Sequence, residues 1–436
     1  MKVLKFGGTS VGSPERIKHV ASLISGAGRN IIVLSAMSGT TNSLVEIAEY
    51  LYKANVPGAQ ETLNALEAKY MRVIEELFGD GTGAPKATEA IARTFSLLRS
   101  FFSEPLTEAG EKEILAQGEL MSTALMQAFL EQAGVRSVML PALDYMRTLE
   151  SGEPDMPHIA ARLRRLIDLE PDADLFITQG YICRNDRGGI DNLKRGGSDY
   201  TASIIGAVLQ ADEIQIWTDI DGMHNNDPRF VDGTKPVSSL HFEEAAELAY
   251  FGAKILHPSC VLPAKLHNIP VRLLNTMQPE APGTLICNTT PDGSLKAIAA
   301  KDNITAIKIK SGRMLLAYGF LHKVFETFEN HRTSIDMIAT SEVGVTVTVD
   351  DDSRLAAIVD DLKHFGTVTV DRDMVIICAV GDLQWENCRF QAKVLDALAD
   401  IPIRMISYGG SNYNISVLVR REDKIRALKA LSKKLF

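Results

Sequence analysis

Val3-Leu4-Lys5-Phe6-Gly7-Gly8-Thr9-Ser10 stands at the start of the chain as an apolar segment that ends in two glycines. It predicts a buried strand at Val3–Phe6, and Ser13-Pro14-Glu15 predicts the start of a helix just beyond it. Glycines after a strand let backbone N–H groups approach an anion closely, and the N-terminus of the helix adds positive potential. Lys5 places a compact positive charge at the same point. The pattern is not a Walker A loop, because the lysine precedes the glycines, and taken alone the glycine pair is more typical of a tight turn.

Apolar strands continue to alternate with helical patterns after this opening. Strands are predicted at Asn30–Leu34, Val135–Leu140, Leu175–Thr178 and Glu213–Thr218. Helical patterns are predicted over 41–99, with a glycine-rich break at Gly79–Gly83, and over Glu111–Gln132. Strands that alternate with helices imply an α/β fold with a mainly parallel sheet covered by helices on both faces.

Length and composition are those of an ordinary globular protein. The 436 residues are enough for two or three domains, with 45% hydrophobic and 23% charged residues. A net charge of −9 argues against a nucleic-acid partner, because phosphate contacts need clustered Lys and Arg. No apolar stretch reaches the roughly 18 residues of a membrane span, and the early glycine pair interrupts any signal sequence. The five cysteines lack CxxC spacing. We therefore expect a cytoplasmic protein with no nucleic-acid or membrane partner.

A second glycine pair lies in Arg195-Gly196-Gly197-Ser198-Asp199, which leads into an apolar helix at Ser203–Leu209. Two glycines at a helix N-terminus can form a backbone nest for a phosphoryl group or a carboxylate, and arginine offers a planar fork matched to a carboxylate. Asp199 is interpreted either as a plain helix cap or as an acid that holds lysine ammonium groups. The close spacing of an arginine, two glycines and an acid favours the functional interpretation.

Two later segments add polar residues after a strand. The strand Ile214–Trp217 is followed by Thr218-Asp219 and then by Asn226-Asp227-Pro228-Arg229, and α/β sheets bind ligands in such loops. The alternative is a surface turn rich in Asp, Asn and Gly. Farther on, Phe251–Pro258 contains a lysine in a largely apolar helical pattern, where a surface lysine is the default interpretation. His257 is interpreted as a structural histidine.

The last third of the chain contains a weak internal repeat, which follows a stretch rich in proline and glycine at 279–303. Similar segments recur 68 to 70 positions apart: Lys323-Val324-Phe325 with Lys393-Val394-Leu395, Ile335–Ile338 with Ile403–Ile406, and Val345–Val349 with Ile415–Val419. Each copy predicts a strand, a helix, a strand, a turn and a further strand, as in a small ferredoxin-like unit. Chance similarity between two βαβ pieces is the alternative.

These segments, taken in order, resemble the aspartate kinases of the amino-acid kinase family. The resemblance rests on KFGGTS at 5–10, LSAMSGTTN at 34–42, QGELMST at 117–123, RGGSDYTA at 195–202, WTDIDG at 217–222 and FGAKILHP at 251–258. The C-terminal repeat resembles the tandem ACT domains of the same enzymes. The resemblance implies an α/β amino-acid-kinase fold over 1–290, with a mainly parallel sheet between helices. Two ferredoxin-like ACT domains are expected at 301–370 and 371–436, the second with a strand from 291–310.

The resemblance also implies a reaction, the transfer of the γ-phosphoryl group of ATP to the β-carboxylate of L-aspartate. It implies Mg²⁺ carried by the nucleotide, with no metal held by the protein. The implied catalytic residues are Lys5, Asp199 and Lys254, with Asp199 orienting the lysines. The nucleotide-binding residues are Lys5, Phe6, Gly7, Gly8, Ser10, Thr218, Asp219, His224, Arg229, Lys254 and Ile255. The aspartate-binding residues are Ser35, Thr41, Glu119, Arg195, Gly197 and Ser198, where Glu119 faces the ammonium group and Arg195 a carboxylate.

The chain departs from the usual pattern of these kinases at two places. Asp191-Asn192-Leu193-Lys194 stands where relatives usually have small residues and a glycine, which affects the shape of the loop. His224 stands where many relatives have an aromatic residue, often tyrosine, which affects one nucleotide contact. Neither departure removes a charge that the reaction needs. The reaction also needs no general base, because a carboxylate with a pKa of ~4 is already an ionised nucleophile at neutral pH.

A regulatory site for L-lysine is implied in the first ACT unit. The implied residues are Met314, Gly319, Phe320, Leu321, Ser334, Ile335, Asp336, Ser341 and Glu342. Asp336 and Glu342 supply acids for the ammonium groups, although without the resemblance they are interpreted as caps of strand ends. In the family two such units pair across a dimer, so we expect a homodimer or homotetramer. The second unit has Arg404 in place of Asp336 and is not expected to bind lysine.

Three other functions are compatible with parts of the pattern. Another amino-acid kinase, acting on glutamate or a nucleoside monophosphate, is disfavoured by Glu119 with Arg195 and by the ACT pair. A catalytically silent amino-acid sensor is disfavoured because Lys5, Asp199 and Lys254 are present. A fused aspartate kinase–homoserine dehydrogenase needs a further dinucleotide-binding domain.

Overall fold

The computed structural model describes residues 1–26, 28–193, 196–252, 258–289, 295–311, 318–386 and 389–436. The chain divides into two compact units. The first consists of Met1–Gly222 and Leu256–Asn288, and the second of Met223–Ile255 and Thr289–Phe436. None of the helices within the described ranges has the length and hydropathy needed to cross a bilayer.

Strands and helices alternate through the first unit, and the second unit carries a long antiparallel sheet. The strands are β1 Lys2–Phe6, β2 Asn30–Leu34, β3 Val138–Met139, β4 Leu175–Gln179, β5 Ile182–Arg184, β6 Ile190–Asn192, β7 Glu213–Thr218, β8 Ser239–His241, β9 Val271–Asn275, β10 Thr284–Cys287, β11 Leu295–Lys310, β12 Ile338–Ser341, β13 Gly344–Val349, β14 Thr367–Gly381, β15 Met405–Tyr408 and β16 Asn414–Arg420. The helices are α1 Pro14–Ile24, α2 Thr40–Tyr52, α3 Val56–Phe78, α4 Ala84–Ser100, α5 Glu108–Gln132, α6 Ala142–Tyr145, α7 Met156–Asp168, α8 Gly197–Leu209, α9 Phe242–Tyr250, α10 Pro258–Leu266, α11 Phe320–Asn330, α12 Leu355–Leu362, α13 Phe390–Ala397 and α14 Lys424–Leu435.

The sheet of the first unit is mainly parallel, as the alternating pattern predicts. Its strands lie in the order β3-β4-β2-β1-β7-β9-β10, and only β10 is antiparallel to its neighbour. Strand β1 lies in the middle, with Phe6 opposite both Leu34 and Trp217. Each of the five residues of β2 is buried, because helices cover both faces. Burial of one such isoleucine or valine side chain contributes roughly 1.5–3 kcal/mol.

Most element predictions in this unit are confirmed, and one is wrong in its limits. The Ser13 hydroxyl accepts from the Arg16 N–H at the start of α1, as predicted. The predicted strand 135–140 shrinks to Val138–Met139, because the Val135 N–H bonds to the Leu130 carbonyl and Gly134 has a φ of 72°. These residues close the end of α5 and cannot also begin a strand.

The second unit confirms the internal repeat. Its six-stranded sheet has the order β12-β13-β11-β14-β16-β15. Two apolar clusters pack against it, one around Phe328 and Val347 and the other around Val417 and Leu428. Strand β11 pairs along most of its length with β14, so the two repeats share one continuous sheet. The division into domains at 301–370 and 371–436 therefore stays a prediction.

Candidate active site

The carboxyl ends of β1, β2, β4 and β7 lie side by side in the first unit. Ser35 N–H donates to the Phe6 carbonyl at 3.2 Å, and Gly180 N–H donates to the Leu34 carbonyl at 2.9 Å. These bonds extend the strand pairing one residue past the ends of the strands, so the loops after them begin in register. Three predicted motifs that are far apart in sequence, those after β1, β2 and β7, begin at this one edge, where α/β sheets bind ligands.

Lys5 and Asp199 form an ion pair at this edge. The Lys5 Nζ lies 2.7 Å from the Asp199 Oδ1, and the two side chains are 10% and 15% exposed. Asp199 lies in the first turn of α8, two residues after Gly197. Gly196 and Gly197 have positive φ values of 68° and 40°. The predicted partnership of these two residues is therefore present. The carboxylate fixes the position of the ammonium group, which a flexible lysine side chain does not do by itself.

Only one N–H group of the glycine pair after β1 is available to an anion, whereas the sequence predicted that both would be. The Gly7 N–H already donates to the Trp217 carbonyl at 3.2 Å, so this amide is used within the sheet. A Cβ on Gly8 would lie 2.7 Å from the Ala36 carbonyl oxygen, so only glycine lets the loops after β1 and β2 approach this closely. Among the described residues, the N–H groups of Gly8 and Thr9 have no hydrogen-bond acceptor. The amides available to an anion are therefore those of Gly8 and Thr9.

Two residues predicted to contact the nucleotide have side chains that face the protein interior. Phe6 is fully buried and stacks on Trp217 with ring centroids 5.7 Å apart. Ser10 is 3% exposed, and its hydroxyl oxygen lies 2.7 Å from that of Thr276. Both side chains hold the loop in place in this conformation.

Glu119 on α5 is a buried carboxyl group with one unused oxygen. The residue is 5% exposed, and its Oε1 accepts from the Ala36 N–H at 3.2 Å. Its Oε2 is buried and has no hydrogen-bond partner among the described residues. Burial raises the pKa of Glu119 to about 7, against the opposing effects of the Ala36 N–H and the Lys5 charge. A buried carboxylate in this state is stabilised by a cationic group that arrives with a ligand.

The other predicted aspartate-binding residues lie around the same edge. Ser35 is half-buried after β2, and its carbonyl accepts from the Ser122 hydroxyl at 2.8 Å. Thr41 is exposed in the first turn of α2. Ser198 is 7% exposed in the first turn of α8, next to Gly197. Arg195 lies outside the described residues, as do Lys254, Ile255 and Met314.

Sequence reasoning missed the residues that position α8. A Cβ on Gly180 would lie 2.3 Å from the Ser198 Oγ, so glycine is required where the end of β4 meets the helix. Tyr181 follows with a φ of 68°, and its N–H donates to the Thr201 hydroxyl at 2.9 Å. Strain of this kind in a non-glycine residue costs on the order of 1–3 kcal/mol and is concentrated at functional sites. A glycine directly after an apolar strand is the signal that could have found them.

The remaining predicted nucleotide residues belong to different units. Thr218 ends β7 in the first unit, and Asp219 follows it. The Thr218 hydroxyl accepts from the Ile220 N–H at 3.2 Å. His224 and Arg229 belong to the second unit. The His224 Nδ1 lies 2.9 Å from the Thr234 hydroxyl oxygen.

Arg229 has its charge satisfied within its own unit. Its guanidinium lies 2.6 Å from the Asp227 carboxylate and 5.7 Å from the centre of the Phe230 ring. The Asp227 carboxylate raises the pKa of Arg229. A phosphate that bound to Arg229 would share it with Asp227.

Asp336, the acid predicted to bind the effector, is paired inside the second unit. Its side chain is 1% exposed, with Oδ1 2.7 Å from the Lys301 Nζ and 3.0 Å from the Tyr250 hydroxyl. The Asp336 Oδ2 is buried and has no hydrogen-bond partner among the described residues. Burial raises the pKa of Asp336, although Lys301 opposes the shift. Sequence reasoning missed Lys301, whose contact with Asp336 depends on tertiary structure.

The other predicted effector residues are mostly at the surface. Gly319 precedes α11 with a φ of 79°. The exposed members are Gly319, Leu321, Ser334, Ser341 and Glu342, and the half-buried ones are Phe320 and Ile335.

Comparison with known proteins supports one family over the whole chain. Residues 1–275 match the amino acid kinase family, and residues 377–435 match an ACT domain. The chain is 35% identical over 450 residues to the lysine-sensitive aspartokinase 3 of Escherichia coli (strain K12), which covers 100% of this chain and 99% of the relative. It is also 35% identical over 460 residues to the chloroplastic aspartokinase 3 of Arabidopsis thaliana, with 100% and 81% covered.

Solved structures give the same result. The structure of E. coli aspartokinase III in complex with aspartate and ADP superposes with a TM-score of 0.84 at 33% identity, covering 100% of both chains. That of the same enzyme in complex with lysine and aspartate gives a TM-score of 0.83, also at 33% identity, and covers 100% of this chain and 99% of the other. The fold and the strand-end site define an amino acid kinase. The chain belongs to this family and, within it, to the aspartokinases.

Proposed function

We propose that this chain transfers the γ-phosphoryl group of ATP to the β-carboxylate of L-aspartate. The product is 4-phospho-L-aspartate, which begins the synthesis of lysine, threonine and methionine. The observation that carries the proposal is the buried, unpartnered oxygen of Glu119 beside the Lys5–Asp199 ion pair. An acid of this kind suits the ammonium group of an amino acid, and the lysine suits a phosphate. The relatives named above are aspartokinases, and one is solved with aspartate and ADP.

The reaction needs alignment and charge neutralisation more than acid–base catalysis. A β-carboxylate oxygen of aspartate forms a bond to the γ-phosphorus while the bond from that phosphorus to the bridging oxygen breaks, and ADP leaves with the negative charge. Lys5, held by Asp199, and the Gly8 and Thr9 amides stabilise this charge. Mg²⁺ enters with the nucleotide. Lys254 supplies the second positive charge in this proposal.

Aspartate is held by groups of opposite charge at its two ends. Glu119 binds the ammonium group, and Arg195 binds a carboxylate in the proposed complex. Ser35, Thr41, Gly197 and Ser198 line the rest of the pocket. Two anions brought together by such contacts react as if at very high local concentration.

An assay that traps the acyl phosphate as a hydroxamate tests the proposed activity. We expect ATP-dependent hydroxamate formation with L-aspartate and little with L-glutamate. Glu119 and Arg195 bind the two ends of the substrate in this proposal, so they select for its length. Preference for another amino acid would show a kinase of different specificity. Absence of ADP release with every amino acid would show a silent sensor.

A Gly8→Ala substitution is expected to lower kcat/KM about 10²-fold, because a displacement near 1 Å has effects of this size. The new Cβ would lie 2.7 Å from a backbone oxygen, so the loops after β1 and β2 must separate. Steady-state kinetics measure the effect. Gly410→Ala is the matched control, since its Cβ would meet no atom within 4 Å. Equal activity of the two variants would contradict the role given to Gly8.

We further propose feedback inhibition by L-lysine through a dimer of ACT units. An ammonium group of the inhibitor takes the place of the Lys301 ammonium at Asp336, whose second oxygen is still unused. The E. coli relative is lysine-sensitive and is solved with lysine. The acids Asp336 and Asp350 already surround one ammonium group in this unit, which supports the proposal.

An Asp336→Asn substitution is expected to raise the lysine concentration for half-inhibition at least about tenfold, because a charge-assisted hydrogen bond is lost. Each variant is compared with its own rate without lysine. Asp360→Asn is the matched control, since Asp360 is 72% exposed and pairs only with Lys363 among the described residues. If lysine leaves both the rate and the thermal stability of the unaltered protein unchanged, the regulatory proposal is wrong.

A further inference from the structure

The two repeats of the second unit can be aligned strand by strand. Strand β11 pairs with β13 and strand β14 with β16 in the same register. Thr305↔Val349 in the first pair corresponds to Val375↔Val419 in the second. Each residue of the second pair lies 70 positions after its counterpart in the first pair. A residue of β11 or β13 therefore has a defined structural counterpart in β14 or β16.

Asp336, two residues before β12, and Arg404, directly before β15, are also structurally equivalent. The Asp336 N–H donates to the Thr348 carbonyl at 2.9 Å. The Arg404 N–H donates to the Leu418 carbonyl at 2.7 Å, and Leu418 lies 70 positions after Thr348. Arg404 therefore occupies in the second repeat the position that Asp336 occupies in the first.

In the first repeat this position belongs to a cluster of two acids and one base. The Lys301 Nζ lies 2.7 Å from Asp336 and 2.9 Å from Asp350. The Asp336 side chain is 1% exposed and that of Lys301 is 18% exposed, whereas Asp350, at 43%, lies at the surface.

Every charge of this cluster is reversed in the second repeat. Lys301 corresponds to Asp371, and Asp350 corresponds to Arg420. With Arg404 in place of Asp336, the second repeat has two bases and one acid. The Arg404 Nε donates to the Asp371 Oδ2 at 2.8 Å, as an ion pair of the opposite polarity.

Each side chain of the reversed cluster is more exposed than its counterpart in the first cluster. The reversed cluster lines a cavity of about 900 Å³ whose other charged residues are Arg372, Asp373, Arg421 and Glu422. Arg404 is 33% exposed and Arg420 is 71% exposed, so a ligand can reach both guanidinium groups within the described part of the chain. Arg420 lies 3.5 Å from the Glu422 carboxylate, an exposed pair that a bound carboxylate would replace. The cavity is large enough for a small metabolite.

We propose that this cavity binds an α-amino dicarboxylic acid, such as L-aspartate or L-glutamate. Arg404 and Arg420 bind the two carboxylates, since a guanidinium fork matches a carboxylate. Asp371 binds the ammonium group. The two acids and one base of the first cluster match the charges of an amino acid with two ammonium groups. The two bases and one acid of the second cluster match those of an amino acid with two carboxylates. The site is separate from the aspartate pocket of the first unit and from the proposed lysine site.

Calorimetric titration of the full-length chain tests the proposal. L-aspartate and L-glutamate are titrated into the Glu119→Gln variant, which weakens aspartate binding at the active site. We expect saturable binding at one site per chain, weakened at least about tenfold by Arg404→Gln with Arg420→Gln. Arg354→Gln, at an exposed arginine before α12, is the matched control and is expected to bind normally. L-glutamate titrated into the unaltered chain and into Arg404→Gln/Arg420→Gln provides the same comparison without Glu119→Gln.

Two further ligands distinguish the chemistry. Succinate lacks the ammonium group and inorganic phosphate lacks both carboxylates, so both are expected to bind more weakly than the amino acids. Asp371→Asn is expected to weaken amino-acid binding and not to weaken succinate binding, because Asp371 contacts only the ammonium group of the ligand and is paired with Arg404 without it. The proposal is overturned if neither amino acid binds at millimolar concentration, if binding survives loss of both arginines, or if succinate or phosphate binds as well. None of these outcomes depends on kinase activity.

Discussion

Glu119→Gln is expected to raise the KM for aspartate and lower kcat/KM by about 10²–10³, because removal of one partner of a buried ion pair costs roughly 3–5 kcal/mol. The KM for ATP is expected to change little. Glu119 is 5% exposed and has an oxygen without a partner among the described residues, so the substrate ammonium is its natural counter-ion. Since the pKa of Glu119 in the free protein is raised to about 7, the KM for aspartate of the unaltered enzyme is expected to rise as the pH falls below that value.

The same substitution is expected to stabilise the protein at alkaline pH. The pKa of Glu119 is raised from 4.5 to about 7, so the folded protein binds this proton more tightly than the unfolded chain. The associated stability is fully present below pH 4.5 and is lost as the pH rises through about 7. Above that pH the buried carboxylate costs on the order of 3 kcal/mol, which glutamine avoids.

Thermal unfolding at pH 5 and pH 8 measures this effect. The melting temperature of Glu119→Gln relative to the unaltered protein is expected to increase with pH. Glu131→Gln, on the same helix α5, is the matched control, because Glu131 is 42% exposed in its pair with Lys86. A difference that does not vary with pH, together with an unchanged KM for aspartate, would show that Glu119 does not bind the substrate.

Lys5→Met is expected to lower kcat by at least about 10²–10³ at saturating aspartate, the loss typical of one preorganised charge contact. It also leaves Asp199 without its partner, so the melting temperature is expected to fall. The double variant Lys5→Met/Asp199→Asn removes both charges and is expected to recover stability without recovering activity. Recovery of the melting temperature without recovery of kcat distinguishes a catalytic role of Lys5 from a structural one.

Lys2→Met is the matched control for Lys5. Lys2 lies on the same strand, is 48% exposed and lies 3.7 Å from Glu213, so its loss is expected to have little effect. Recovery of activity by the double variant, or more than a tenth of normal kcat in Lys5→Met, would contradict the proposed stabilisation of phosphoryl transfer.

Sequence patterns were sufficient for the elements and for part of the site. Strand β2 begins and ends as predicted, and the repeats were found from similar segments 68 to 70 positions apart. The partnership of Lys5 with Asp199 followed from motifs that resemble those of a known family, and the structure brings the two together. Periodicity, glycine pairs and helix caps are local properties, so they can be recognised along a single chain.

Tertiary structure decided which of the predicted groups are available to a ligand. The Gly7 N–H donates to the Trp217 carbonyl, and one Asp336 oxygen is paired with Lys301, although each partner lies far away in sequence. Burial of Glu119 raises its pKa, and no local pattern shows that burial.

By itself, then, the sequence determined the strands, the helices, the repeat and the family to which the chain belongs. Only the tertiary structure decided that the amides of Gly8 and Thr9 are unused, that Glu119 lacks a counter-ion among the described residues, and that the charges around Asp336 are reversed around Arg404. Hydrogen bonding and desolvation depend on neighbours that the fold brings together, whereas strand and helix patterns depend on residues that are already adjacent.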